Sequence, residues 1–291
     1  MRVTQSMLTQ NSLQNLQQSN ERLGILQEQL STGKKITKAS QDPVIAMSGI
    51  RYRGETNQIQ QFQRNVGEMK NWMNSTDSAL DKSTEALQRV RELTTQAAND
   101  TYEEGQRENI AEEVAQLRNH IGDMANTKMN GKYIFNGTNT QTAPVDDNGN
   151  TNFGDGEVEM ELMDGVKIKA NSNPKNTFGN GLFNTLSNLE EDLRDDSKSG
   201  EDIGEYLDDV DSHINDMVNE RAEVGARQNR VEMIESRLGQ QEVTAKEIMS
   251  ENEDADMAKV IMNLTTQESV HKAALSASAR IIQPTLLDFL R

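Results

Sequence analysis

The sequence predicts a mainly α protein, a long antiparallel helical bundle or coiled-coil rod that carries a small β-rich inserted domain. Three observations predict it. Apolar and small residues alternate at spacings of three and four over nearly six heptads in the first half, and a second set recurs every seven in the last third. One intervening stretch is punctuated by Gly, Asn and Pro between short alternating runs. Only 34% of the 291 residues are hydrophobic and 4% aromatic, too few for one large globular core.

Taken in order, residues 3–30 place Leu13, Leu16, Leu23, Leu26 and Leu30 on one face of a helix that has no local cover. The chain then reads "QLSTGKKITKASQDPVIA". Gly33 can adopt the left-handed conformation that ends a helix, and Lys34 and Lys35 suit the negative end of a helix. Asp42 can accept from the free N–H groups of a new helix, and Pro43 is pre-set for its first position. "STGKK" is not a phosphate-binding loop, because Glu28 stands where the motif needs glycine and Lys35 where it needs a hydroxyl.

From Val44 to Ala98 one helix would run about 80 Å at ~1.5 Å per residue, which predicts a rod. Its seam is Ile59, Phe62, Val66, Met69, Met73, Thr76, Leu80, Ser83, Leu87, Val90, Thr94 and Ala97. After "NDTYEEG", Ile110, Val114, Leu117, Ile121 and Met124 share a face. Later, Val210, Met217, Val224, Val231 and Leu238 recur every seven, with Leu207 and Ile214 one turn earlier. Core packing among the three helices accounts for these stripes without a ligand.

Between them, residues 131–183 form the β-rich insert. Lys132–Asn136 and Val158–Met163 alternate like strands, and Asp164-Gly165 marks a hairpin. Asp146, Asp147 and Asn148 lack the glycine of a calcium loop and read as a solvated turn. Residues 190–211 hold eleven acidic and two basic side chains, read as a solvated helix face and loop. Near the end, Met257, Val260, Ile261, Leu264, Leu275, Ile281 and Ile282 line a second uncovered helix. Isolated helices of this length are marginal, and burying one aliphatic side chain contributes ~1.5–3 kcal/mol. The terminal helices, roughly 1–40 and 255–291, are therefore expected to be disordered in the free monomer and to pair on assembly.

Thirty basic and 47 acidic side chains give a net charge of −17, which argues against nucleic acid or an anionic membrane as partner. The ends, residues 1–40 and 257–291, sum to +5 and the middle to −22. The absence of cysteine excludes disulfides and thiolate metal sites and suits a chain that crosses a membrane unfolded. No secretory-type apolar run opens the sequence, and no stretch approaches a membrane span. His120, His213 and His271 lack partners at ligand spacing, and no nucleophile elbow, dinucleotide fingerprint or zinc motif appears. These features predict neither an enzyme nor a cofactor.

The stretch at 29–46 together with "DMAKVIMNLTTQESVHKAALSASARIIQPTLLDFLR" at 256–291 resembles the flagellin superfamily of bacterial flagella. Within it, "NTKMNGKYIFNGTNTQTAPV", "GDGEVEMELMDGVKI" and "GLFNTLSNLEEDL" are similar to the branch that joins hook to filament. One departure is Gln41, where an acidic residue often precedes the Asp-Pro. The resemblance implies an inner assembly domain from 1–42 and 253–291, a helical rod from 43–130 and 184–252, and the insert at 131–183. Gly33, Lys34, Lys35, Asp42 and Pro43 would form the inter-domain joint, with Lys34–Gln41 setting its angle. It further implies a secreted structural protein, escorted by a flagellar export chaperone and exported by the flagellar type III apparatus. Such a subunit forms a ring-like homo-oligomer between an adjacent hook-associated protein on the hook side and flagellin on the filament side. A short flagellin is the alternative in the same class. An enzyme carried on the insert would need a metal-ligand cluster within 131–183, which holds no His and no Cys.

Overall fold

The computed structural model describes residues 5–99, 105–146, 149–154, 156–179 and 181–282. The elements in chain order are α1 (Gln5–Thr32), α2 (Pro43–Ala97), α3 (Gln106–Ala125), β1 (Lys128–Met129), β2 (Lys132–Tyr133), β3 (Glu159–Met163) and β4 (Val166–Lys169), followed by α4 (Pro174–Thr177), α5 (Leu182–Arg194), α6 (Gly200–Gly204), α7 (Tyr206–Glu253) and α8 (Met257–Ile282). The chain divides into two compact units, residues 1–58 with 241–291, and residues 59–240. The division falls within α2 and within α7. The first unit contains twelve basic and twelve acidic side chains, which leaves 18 basic and 35 acidic in the second.

The second unit is built on the seams. Ile59, Val66, Met69, Met73, Leu80, Leu87 and Val90 of α2 are buried, as are Val210, Met217, Val224, Val231 and Leu238 of α7, while Phe62 is half-buried. Lys70 pairs with Glu235, Asn74 with Gln228, and Asp77 with Arg221, so sequence numbers rise along α2 as they fall along α7 and the helices are antiparallel. Such exposed pairs contribute ~0–1 kcal/mol each, so the buried stripes hold the helices together. Thr76, Ser83 and Thr94 sit in the seam without penalty because each hydroxyl donates to the carbonyl four residues back, at 3.0, 2.8 and 2.8 Å. Arg89 of α2 reaches Glu113 of α3 at 2.7 Å, so these parts of the two helices are neighbours.

Two features of this unit differ from expectation. First, α5 buries Leu182, Phe183, Leu186, Leu189 and Leu193 and lies against α3, where Arg118–Glu190 and Arg194–Glu112 bridge the pair at 2.8 Å each. The acidic stretch from 190 onward is thus partly a packed helix. It continues into a short helix capped by the reciprocal Ser199–Asp202 box. Second, the strand expected at Lys132–Asn136 ends after Tyr133. Ile134 and Phe135 are both fully buried, so the run does not alternate, and Asn136 turns inward to bond Thr142 and the Gly154 N–H. Asn130 (φ 51°) and Gly131 (φ 77°) form the left-handed pair that a two-residue hairpin between β1 and β2 requires. The β3–β4 hairpin turns at Asp164-Gly165 as expected. Asp146 accepts from Asn150, consistent with a solvated turn, while Asp147 and Asn148 lie outside the described residues.

The α7 seam has a second row that the sequence reading did not find. Leu207 and Ile214 are only half-buried, and the inward positions are His213, Glu220, Arg227 and Ile234. Arg227 donates to the carbonyl of Asn171 at 2.8 Å, and Glu220 accepts the Asn173 N–H at 3.1 Å, so this row holds residues 171–173 by their backbone. Burial pushes the Glu220 carboxyl up and holds the His213 imidazole below its ordinary value.

Candidate assembly site

In the first unit the loop after α1 meets the break between α7 and α8. Gly33 has φ 69°, the left-handed end anticipated for α1, and its N–H closes on Gln29 O at 2.9 Å. Asp42 caps α2 by accepting from the N–H groups of Val44 and Ile45 at 2.9 and 3.1 Å, with Pro43 at the first helical position. Gln41 Oε1 accepts from the N–H groups of Thr37 and Lys38, so an amide oxygen organises the turn at the position of the departure.

The lysines serve another helix from the one expected. Lys35 donates to the carbonyl of Glu251, in the last turn of α7, and Lys34 pairs with Asp254 at 2.6 Å and Glu253 at 3.4 Å. Backbone bonds from Lys35 N to Glu253 O (2.7 Å) and from Ala255 N to Gly33 O (2.8 Å) complete a short antiparallel bridge. Glu253 is the centre of the arrangement and was invisible to motif reading. It is 6% exposed, takes a two-pronged bond from Arg53 at 2.8 and 2.7 Å, and crowds α2 so closely that a Cβ at Gly49 would lie 2.7 Å from its Oε1. No local pattern marks it, because its partners Arg53 and Lys34 lie 200 or more residues away in the chain.

The bond from Arg53 holds the Glu253 carboxyl below its ordinary 4.5, and the bond from Lys34 holds Asp254 below 3.8. Depressed carboxylate values contribute stability that is complete above the ordinary values and is lost as pH falls through the folded ones. Helicity of the α1–α8 pair, followed by circular dichroism in assembled protein, is therefore expected to fall below about pH 4.5. Glu253→Gln with Asp254→Asn should flatten that dependence. An unchanged acid transition in the double variant would assign the acid sensitivity elsewhere.

Above this base α1 and α8 pair antiparallel, with Ser19 beside His271 and Lys34 beside Asp254. Leu16, Leu23, Leu26 and Leu30 are half-buried, Leu13 is half-exposed, Val260 is buried and Leu264 half-buried. Met257, Ile261 and Leu275 point away from the pair, so the expected single stripe on α8 is split over two faces. The side chains of Ile281 and Ile282 lie outside the described residues. Val44 and Met47 add exposed aliphatic surface at the start of α2, each 74% exposed. Among the described residues no group of three or more His, Asp or Glu could hold a metal ion, and no helix is long and apolar enough to cross a membrane.

Paired terminal helices on a bridged loop, together with a seamed helical unit bearing β-hairpins, define a flagellin-type subunit. Residues 3–140 match the bacterial flagellin N-terminal helical region and residues 207–290 the bacterial flagellin C-terminal helical region, and the chain belongs to the flagellin superfamily. It is 24% identical to flagellar hook-associated protein 3 of Escherichia coli (strain K12), over 95% of this chain and 96% of that protein. It is 26% identical to flagellin of Bacillus subtilis (strain 168) over the whole of both chains. The fold is shared with the flagellar junction protein FlgL from Legionella pneumophila, at TM-score 0.58 and 15% identity over 71% of this chain and all of that one.

Proposed function

We propose that this chain is a structural junction protein of the bacterial flagellum, polymerising at the distal end of the hook and connecting it to the flagellin filament. The observation that carries this reading is the correspondence with hook-associated protein 3, which runs through both terminal helices and the insert. In this reading residues 1–42 and 253–291 form the assembly domain, 43–130 and 184–252 the helical rod and 131–183 the insert. The subunit is secreted, closes into a ring with its own copies, meets another hook-associated protein on one side and flagellin on the other, and carries no catalytic activity. The exposed C-terminal stripe, including Ile261 and Leu275, suits an export chaperone that receives an amphipathic helix in a groove.

Electron microscopy of a strain lacking the gene tests the reading. Hooks should persist, filaments should be lost and flagellin should appear in the medium; retained filaments overturn it. The full-length likeness to Bacillus subtilis flagellin favours a second reading, a short filament subunit. Purified protein that forms long filaments alone under salting-out conditions would establish that second reading.

The pairing of α1 with α8 leaves one face of each helix bare, so their ordering should depend on neighbouring copies. Limited proteolysis of the free monomer is expected to trim roughly residues 1–40 and 255–291 and to spare 59–240. Full protection of both ends in a monomer contradicts assembly-coupled ordering.

A further inference from the structure

The face on which α1 and α8 meet is a heptad seam with a polar layer in its middle. Its α1 positions are Leu16, Ser19, Leu23, Leu26 and Leu30, and its α8 positions are Val260, Leu264, Gln267, His271 and Ala274, all spaced alternately by three and four. Ser19 is 8% exposed. Its hydroxyl stands 3.0 Å from His271 Nδ1 and accepts from Gln267 Nε2 at 3.1 Å, while the same amide reaches the Ser19 carbonyl at 3.5 Å. With Nδ1 as acceptor, the bonds run from Gln267 through the Ser19 hydroxyl to His271, so the hydroxyl is matched both as acceptor and as donor.

Apolar burial alone does not select this face. On α8 the seam takes only Val260 and Leu264 as large aliphatic side chains while Ile261, Met262, Val270 and Leu275 remain exposed, so a different rotation of α8 would bury as many. The bridge of Lys34 with Asp254 anchors only the base of the pair. A slip of one heptad would set Ser19 against Leu264 or His271 against Leu26, stranding polar groups on an apolar partner. A polar residue at one seam position specifies register and partner in coiled coils for this reason.

We propose that Ser19, Gln267 and His271 form a lock that selects which faces of the terminal helices meet and in which register. It rests on the reading of these helices as the assembling part of a flagellar subunit. Ser19 is a positioning residue in it: its hydroxyl both accepts from Gln267 and faces the imidazole.

The chain has no cysteine, so a reporter pair can be placed cleanly. Leu16→Cys with Ala274→Cys brackets the seam one turn beyond the lock. Protein sheared from cells or salted out after purification is oxidised and separated under non-reducing conditions. In the Ser19 background, and with Ser19→Thr, the product should be an intrachain crosslink that migrates as a monomer. With Ser19→Leu, and independently with His271→Leu, the helices should leave this register, and that species should fall several-fold while uncrosslinked thiols rise. An unchanged intrachain fraction in both leucine variants, or Ser19→Thr behaving as Ser19→Leu, overturns the lock. Failure of the flagellar reading shows instead as filaments retained in the deletion strain, whatever the crosslinks do.

Discussion

Gly33→Val combined with Asp42→Ala is expected to abolish swimming and to send the secreted subunit into the medium. Gly33 has open space around its Cβ position, so the penalty is in the backbone alone, about 1–2 kcal/mol for a side chain forced to φ 69°. Loss of the Asp42 bonds to Val44 and Ile45 costs about 1 kcal/mol more. Together they remove roughly 2–3 kcal/mol from the unit that carries α1 and α8, which on the proposed reading weakens the addition of each subunit roughly 30- to 150-fold. Both residues belong to the unit of residues 1–58 with 241–291, so the thermal transition of residues 59–240 should not move. Export should also continue, because an unfolded chain does not use the loop. Normal swimming by the double variant would make the loop a passive linker.

Phe135→Ala should have the largest effect on stability. The ring is fully buried against Phe178, itself fully buried, edge to face at a centroid distance of 4.9 Å. Truncating a buried Phe costs ~3–5 kcal/mol. For a unit of this size that is about 10 °C in melting temperature by scanning calorimetry. Phe135→Leu should lose less than half as much. A shift under ~3 °C for the alanine variant would mean that the insert contributes little to the cooperative unit.

The helices were legible because their signals are local and periodic. The α2 seam and the heptads of α7 follow from counting alone, as do the Gly33 stop, the Asp42-Pro43 start and the Asp164-Gly165 turn. What escaped the sequence reading depends on partners far along the chain. Glu253 looks like any helix-end glutamate until Arg53 and Lys34 arrive from 200 residues away. His213, Glu220 and Arg227 occupy seam positions where an apolar pattern is interrupted, so counting hydrophobics passed them over in favour of Leu207 and Ile214. Ser19 and Gln267 were missed in the same way. The strand expected at Lys132–Asn136 failed because consecutive burial of Ile134 and Phe135 in a turn leaves no period at all.

The unequal division of charge, balanced in residues 1–58 with 241–291 and strongly acidic in 59–240, makes free subunits behave as a dispersed anionic colloid. Repulsion between the acidic units acts over the screening length, ~10 Å at 0.1 M salt and ~3 Å at 1 M, whereas contact between the balanced units is short-ranged. Encounters between free subunits in dilute salt should therefore be disfavoured, and spontaneous nucleation should be slower than addition to an existing end. Concentrated salt shrinks the barrier and should remove that lag, so spontaneous nucleation becomes a matter of ionic strength while elongation on an existing end hardly changes.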